Sequence, residues 1–99
     1  MGQLLYGAPP EIFEVDDRTL AHIEVVILAK LRRNENFAMT LDRTGGGRST
    51  IWINTASTLQ VRFDDGQHQI NRDWLEILID SANTPAGMKI EPEPVASSA

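Results

Sequence analysis

The sequence predicts an α+β domain in which an antiparallel β-meander sheet carries two amphipathic helices packed on one face, in the order ββ-α-ββββ-α-β. Two segments place apolar residues at helical spacing, and several short segments alternate apolar and polar residues. The connections between the alternating segments are too short for crossovers. The chain has 99 residues, 41% of them hydrophobic, which suits one compact domain. We expect this single domain to span residues 1–90.

Strands are predicted where alternating segments end at turn residues. The predicted strands are Gln3–Tyr6, Glu11–Val15, Phe37–Asp42, Ser49–Asn54, Thr58–Asp64, Gln67–Ile70 and Met88–Ile90. The third of them alternates most cleanly, with Phe37, Met39 and Leu41 on one face. Asp65-Gly66 is typical of a tight hairpin, because both central positions of such a turn favour positive φ.

Two helices are predicted, and each follows an Asp or Asn that can cap a helix N-terminus. They cover Asp17–Arg33 and Arg72–Ala82. The apolar stripe of the first comprises Leu20, Ile23, Ile27 and Leu31, and that of the second comprises Trp74, Leu75, Leu78, Ile79 and Ala82. His22 and Lys30 fall on the opposite arc of the first helix, so we expect both on its solvated side.

The composition predicts a cytoplasmic protein with a disordered C-terminal tail. Residues 91–99 are rich in Pro, Glu and Ser, and such a segment buries too little apolar surface to order itself. The chain has no cysteine, no signal-peptide pattern and no apolar run long enough to span a bilayer. Its formal net charge of −5 argues against bulk attraction to nucleic acid or to an anionic membrane.

The run Thr44-Gly45-Gly46-Gly47-Arg48-Ser49-Thr50 has the composition of a phosphate-binding loop but not its pattern. Aligning Gly47-Arg48-Ser49 with the end of a P-loop puts Asp42 at the position of the first glycine. The segment that follows is β-branched and aromatic, so no helix N-terminus is available to hold an anion. The run therefore predicts a β-hairpin connection with Arg48 at its tip.

No set of residues predicts catalysis. His22 and His68 are the only histidines, and they lie on different predicted elements without metal-ligand spacing. The acidic pairs Asp16-Asp17 and Asp64-Asp65 suit a helix N-terminus and a turn. No nucleophile, base and orienting group form a recognisable motif. We predict no metal, no cofactor and no enzymatic activity.

A small basic patch is the first candidate for binding. Lys30, Arg32 and Arg33 form the densest positive run, and Arg48 or Arg43 could join them. Cations at a helix C-terminus also complement the helix dipole, which explains the run without any ligand. If the glycine loop approaches the helix end, the patch predicts binding of an anion or of nucleic acid.

Trp52 is the second candidate. It alternates with Ile51 and Ile53, so it faces away from the predicted core, with Gln60 and Arg62 as predicted cross-strand neighbours. An indole on that face needs either a binding partner or a covering segment such as the chain termini. Trp52 and Arg62 are therefore candidate interface residues.

Several stretches together resemble a small actinobacterial family of uncharacterised proteins. They are "MGQLLYG", "DDRTLAHIEVVILAKLRRNENFAM", "GRSTIWIN" and "NRDWLEILIDSANTPAGMKI", and they cover the chain except its tail. Members of that family are often labelled ATP-dependent DNA ligases. Such a ligase needs Lys-x-Asp-Gly, but Phe63 stands at the lysine position before Asp65-Gly66.

These features predict a non-catalytic interaction module that self-associates or binds a protein partner. The alternative is an accessory protein that binds nucleic acid or nucleotides through the basic patch.

Overall fold

The computed structural model describes residues 1–43, 45–65 and 69–94. These residues form six strands and two helices, which confirms the predicted α+β class. The elements are β1 (Gly2–Tyr6), β2 (Glu11–Val15), α1 (Asp17–Arg32), β3 (Phe37–Asp42), β4 (Arg48–Ile53), β5 (Leu59–Arg62), α2 (Arg72–Ala82) and β6 (Met88–Lys89). The predicted strand Gln67–Ile70 and the Asp65-Gly66 hairpin fall partly on residues 66–68, outside the described residues, and residues 69 and 70 are not in a strand.

The six strands form two sheets, which differs from the single meander expected from the sequence. The first sheet has the order β2-β1-β5 and is antiparallel throughout. The second sheet has the order β4-β3-β6. In it β4 is antiparallel to β3, and β6 is parallel to β3 after the chain has passed through β5 and α2. The residue before β5 already contacts the end of β1, since the Gly7 N–H donates to the Thr58 carbonyl at 2.9 Å. From there β5 pairs with β1 in the first sheet.

The first helix, α1, begins where its sequence predicts. Asp16 caps it by accepting a hydrogen bond from the Thr19 N–H at 3.2 Å. The adjacent Asp17 is buried, and its carboxylate accepts the N–H groups of Asp64 and Asp65. Both acidic pairs therefore contribute to one structural contact, which ties the end of β5 to the start of α1.

The second helix, α2, is capped by Asn71, whose side-chain oxygen accepts the N–H groups of Asp73 and Trp74. The predicted apolar stripes of both helices face the interior. One core cluster joins both sheets and both helices; it contains Leu4, Phe13, Val15, Leu20, Ile23, Val26, Ile27, Phe37, Met39, Leu41, Ile51, Ile53, Trp74, Leu78, Ala82 and Met88.

His22 is buried, so the prediction that it lies on a solvated face was wrong. Its side chain is 0% exposed and stacks on Trp74 with 4.4 Å between ring centroids. The Asn71 N–H donates to Nε2 at 2.8 Å, and Nδ1 lies 2.7 Å from the Arg18 carbonyl, to which it donates. The helical pattern counted histidine as a polar residue, but a histidine whose two ring nitrogens both form hydrogen bonds can be buried.

Residues 91–94, expected to belong to a disordered tail, make specific contacts with both helices. The indole N–H of Trp74 donates to the Glu91 carbonyl at 2.9 Å, and Glu93 pairs with Arg18 at 2.7 Å. Residues 95–99 lie outside the described residues. Among the helices that the structure describes, none combines the length and the apolar character needed to cross a membrane.

Candidate functional site

Lys30 is a structural residue rather than a free cation. It is 9% exposed, and its ammonium group donates to the side-chain oxygen of Asn83 and forms an ion pair with Glu35 at 3.2 Å. These contacts join the C-terminal end of α1 to that of α2. The helical pattern placed Lys30 on the solvated arc, and this was wrong because α2 packs against that side of α1 near its C-terminal end.

Arg32 and Arg33 are exposed at the end of α1, but Arg48 is at the opposite end of the second sheet. The register pairs Phe37 with Ile53 and Asp42 with Arg48, which are five residue steps apart along β3. At about 3.3 Å per residue this separates the two ends by roughly 16 Å. The structure therefore does not bring the glycine loop to the basic end of α1.

The glycine loop forms the predicted hairpin connection. The Arg43 N–H donates to the Gly47 carbonyl at 2.9 Å, which closes the end of the β3–β4 hairpin. Gly45, Gly46 and Gly47 all have positive φ, so the run supplies the backbone conformations that the turn requires. The Arg43 side chain forms an ion pair with Glu11 at 3.2 Å. Thr44 lies outside the described residues.

Trp52 faces away from the core, as predicted. It is 54% exposed, while Ile51 and Ile53 on either side of it are buried. Its cross-strand partner is Ala38, whereas Arg62 lies on β5 in the first sheet, opposite Gln3. The prediction that Arg62 neighbours Trp52 across strands was therefore wrong, because the turn after β4 carries the chain into the other sheet.

The exposed indole borders an open groove of about 560 Å³ at the C-terminal ends of both helices. Its walls come from the C-terminal ends of α1 and α2, the α1–β3 connection, β3, β4 and the α2–β6 loop. They are lined by Lys30, Glu35, Asn36, Phe37, Ala38, Trp52, Ala82, Asn83, Thr84, Pro85 and Gly87. The α2–β6 loop lies close to β3 here, since a Cβ on Gly87 would be 2.7 Å from the Ala38 carbonyl oxygen. The Tyr6 hydroxyl donates to the Trp52 carbonyl and fixes this end of β4.

We call the side of the second sheet that carries Trp52 the outer face. It consists of the residues that alternate with buried ones along the three strands: Ala38, Thr40, Asp42, Arg48, Thr50, Trp52 and Lys89. Thr40 and Thr50 lie opposite each other, with 3.2 Å between their hydroxyl oxygens. Both helices contribute their buried side chains to the core on the other side of this sheet. The outer face thus combines one large aromatic side chain, hydroxyls, two cations and a carboxylate.

The groove and the outer face present both polar and apolar groups. Two of the polar side chains that line the groove, Lys30 and Asn83, are hydrogen-bonded to each other. No cluster of three or more His, Asp or Glu side chains suited to a metal ion occurs within the described ranges. The indole, by contrast, offers a wide apolar surface together with one hydrogen-bond donor.

A second polar cluster, at the other end of the helices, was missed by sequence reasoning. Arg18, from the first turn of α1, donates two hydrogen bonds to the Glu93 carboxylate, and Asn71 donates a third. These hydrogen bonds lower the pKa of Glu93 to about 2, and the contribution of Arg18 is the largest. The composition of residues 91–99 concealed the cluster, because a Pro- and Glu-rich segment is typical of a solvated tail.

Fold and surface together define a small α+β domain with an exposed tryptophan on an uncovered sheet face. A family model described as a domain of unknown function, DUF7882, matches residues 1–93, and the chain belongs to this family. The match confirms the resemblance to an uncharacterised family; the actinobacterial origin and the ligase label stay predictions. No curated protein matches the chain, and no solved structure does.

Proposed function

We propose that this chain is a non-catalytic interaction module that self-associates through the outer face of the second sheet. The observation that carries the proposal is Trp52, which is 54% exposed on a sheet face that neither helix covers. Its indole also borders the groove at the C-terminal ends of the helices. Tryptophan is enriched among the residues that dominate binding energy at protein interfaces. A second copy of the same face would remove this indole from water.

The charges of the outer face support self-association over attachment to a strongly charged partner. Arg48 and Lys89 are positive, while Asp42 is negative and lies opposite Arg48 in the strand register. In a two-fold symmetric dimer the same patch meets itself, so a face with both signs can pair its own charges. Association also buries apolar surface that a chain of 99 residues leaves exposed, because short chains bury a smaller share of their surface on their own.

Sedimentation of the purified chain tests this proposal. We expect a concentration-dependent species larger than the monomer, and Trp52→Ala should shift it toward the monomer. Leu28→Ala is the matched control, because Leu28 is 50% exposed but lies on α1, away from the outer face. A strict monomer at all concentrations, or a dimer that is unchanged by Trp52→Ala, would refute the proposal.

The proposal assigns no reaction and no cofactor to the chain, since the ligase motif Lys-x-Asp-Gly is absent from the sequence and Lys30 and Asn83 in the groove are bonded to each other. It places the module in the cytoplasm, in keeping with a chain that has no cysteine. The nucleic-acid alternative has less support, because Lys30 is buried and Arg48 is distant from Arg32 and Arg33. Salt-dependent binding of DNA or RNA that weakens on Arg32→Ala plus Arg48→Ala would favour it.

A further inference from the structure

Residues 91–93 lie across the N-terminal ends of α1 and α2. Glu91 and Glu93 each precede a proline, which favours an extended backbone. Arg18 donates from Nε to Oε1 of Glu93 and from Nη2 to Oε2, both at 2.7 Å. Asn71 Nδ2 donates to Oε2 at 2.9 Å. Trp74 Nε1 donates to the carbonyl of Glu91, also at 2.9 Å. The helices thus contact both a carboxylate and a backbone carbonyl two residues before it.

The three donor side chains are held by contacts that do not involve this segment. Trp74 belongs to the hydrophobic core cluster and stacks on His22. Asn71 uses its oxygen to cap α2, which leaves its amide donor to point at Glu93. Arg18 uses Nη1 to donate to the Gln69 carbonyl at 2.9 Å, which leaves the Nε and Nη2 fork for the carboxylate. Each of the three donors therefore has an anchoring contact that does not involve residues 91–93.

The segment itself has no regular structure. Residues 91–94 have neither helix nor strand assignment, and Pro92 and Pro94 have no N–H to donate. The Glu93 carboxylate is favoured where it lies, because both a paired guanidinium and two helix N-termini stabilise negative charge. Its pKa of about 2 is a consequence of this placement. The attachment thus depends on one carboxylate and one carbonyl.

We propose that Arg18, Asn71 and Trp74 form a recognition site for extended acidic peptide segments, and that residues 91–93 of the chain are its intramolecular occupant. The ligand pattern is a glutamate two residues after a carbonyl that accepts the indole N–H. A tethered ligand acts at an effective concentration of about a millimolar or more. An acidic segment from another molecule can therefore enter only when the chain's own segment is released or outcompeted.

The test uses the full-length chain with Glu93→Gln, which keeps the size of the side chain but removes the carboxylate. The probe is a synthetic peptide of residues 90–94 with blocked ends. Binding is followed by the indole ¹H–¹⁵N resonance of Trp74, and the resonance of Trp52 serves as an internal control because it lies at the other end of the helices. Glu91→Gln is the matched control protein, since Glu91 contributes its backbone carbonyl to the contact and the substitution keeps that carbonyl.

We expect the peptide to move the Trp74 resonance of the Glu93→Gln variant in a saturable way. It should bind the wild-type chain and the Glu91→Gln variant at least about tenfold more weakly than it binds Glu93→Gln, because their own segment competes. A second peptide, with Gln in place of the glutamate that corresponds to Glu93, should bind Glu93→Gln at least about tenfold more weakly than the first. Adding Arg18→Ala should abolish binding. Equal binding of the Glu and Gln peptides, or no shift of Trp74 in Glu93→Gln, would overturn the proposal.

A titration of the wild-type chain keeps the proposal testable should Glu93→Gln not fold. Peptide at millimolar concentration should compete with the tethered segment and move the Trp74 resonance, with a midpoint at about a millimolar or above. The Gln peptide should leave it unmoved. A Trp74 resonance that is unaffected by either peptide in the folded wild-type chain would contradict an exchangeable site. The Trp52 proposal is unaffected by either result, because the two sites share no residue.

Discussion

The backbone N–H of Asn71 donates to Nε2 of His22 over 2.8 Å, and this hydrogen bond ties the start of α2 to the middle of α1. Replacing His22 with Leu removes the acceptor and leaves the half-buried Asn71 N–H without its partner. We expect His22→Leu to lower the free energy of unfolding by about 1–3 kcal/mol. Urea denaturation measures the loss.

Ala29→Leu is the control for this substitution, because it also places a leucine on α1 but at an exposed position. It should change the free energy of unfolding by no more than about 0.5 kcal/mol. If the two variants are equally stable, the His22–Asn71 hydrogen bond does not hold the helices together.

Gly87 is expected to tolerate a side chain less well than Gly46 does. Its φ is 84°, and a Cβ there would lie 2.7 Å from the Ala38 carbonyl oxygen. Gly46 has a φ of 98°, but a Cβ added to it would meet nothing within 4 Å, so it shares the backbone strain without the clash. Gly87→Ala should therefore cost at least about 1 kcal/mol more than Gly46→Ala. Thermal or urea unfolding of both variants provides the comparison, and equal losses would show that the loop moves away from β3.

Lys30 is predicted to stabilise the fold through Asn83 and Glu35. Lys30→Met removes a charged hydrogen-bond donor from a nearly buried position, and we expect a loss of about 1.5–3 kcal/mol. Arg32→Met, two residues away and exposed, should cost no more than about 0.5 kcal/mol. A larger effect for Arg32 than for Lys30 in urea denaturation would contradict the structural role of Lys30.

Glu93 should make stability depend on pH in the acid range. Its pKa is lowered from 4.5 to about 2 in the folded chain, so its contribution is complete above about pH 4.5 and is lost as the pH falls toward 2. The charged group that contacts it is Arg18, and Asp16 acts in turn on Arg18. We expect Glu93→Gln to be less stable than wild type at pH 6.

The stability gap between wild type and Glu93→Gln should close as the pH falls from 4.5 toward 2. Urea denaturation at several pH values measures the gap, and Glu91→Gln serves as the control with the same change of charge. A gap that is constant over this range, or equal for both variants, would show that the ion pair with Arg18 does not stabilise the fold.

Periodicity in the sequence predicted much of the fold and one part of the candidate surface. The helical stripes, the alternating strands and the outward direction of Trp52 follow from side-chain spacing alone. Strand pairing does not follow from spacing, because alternation shows which residues share a face of a strand but not which strand lies beside it. For this reason Arg62 was wrongly predicted to be a cross-strand neighbour of Trp52. Burial of His22 and Lys30, and attachment of Glu93, depend on hydrogen-bond partners that are 49–75 residues away in sequence.

The most direct test of self-association follows the Trp52 indole ¹H–¹⁵N resonance while the wild-type chain is diluted. We predict that this resonance moves with dilution, with the same midpoint as the change in sedimentation, while the Trp74 resonance stays in place. A dimer that dissociates without any movement of the Trp52 resonance would locate the interface elsewhere. A Trp52 resonance that does not change at any concentration, in a chain that sediments as a monomer, would contradict the proposed function.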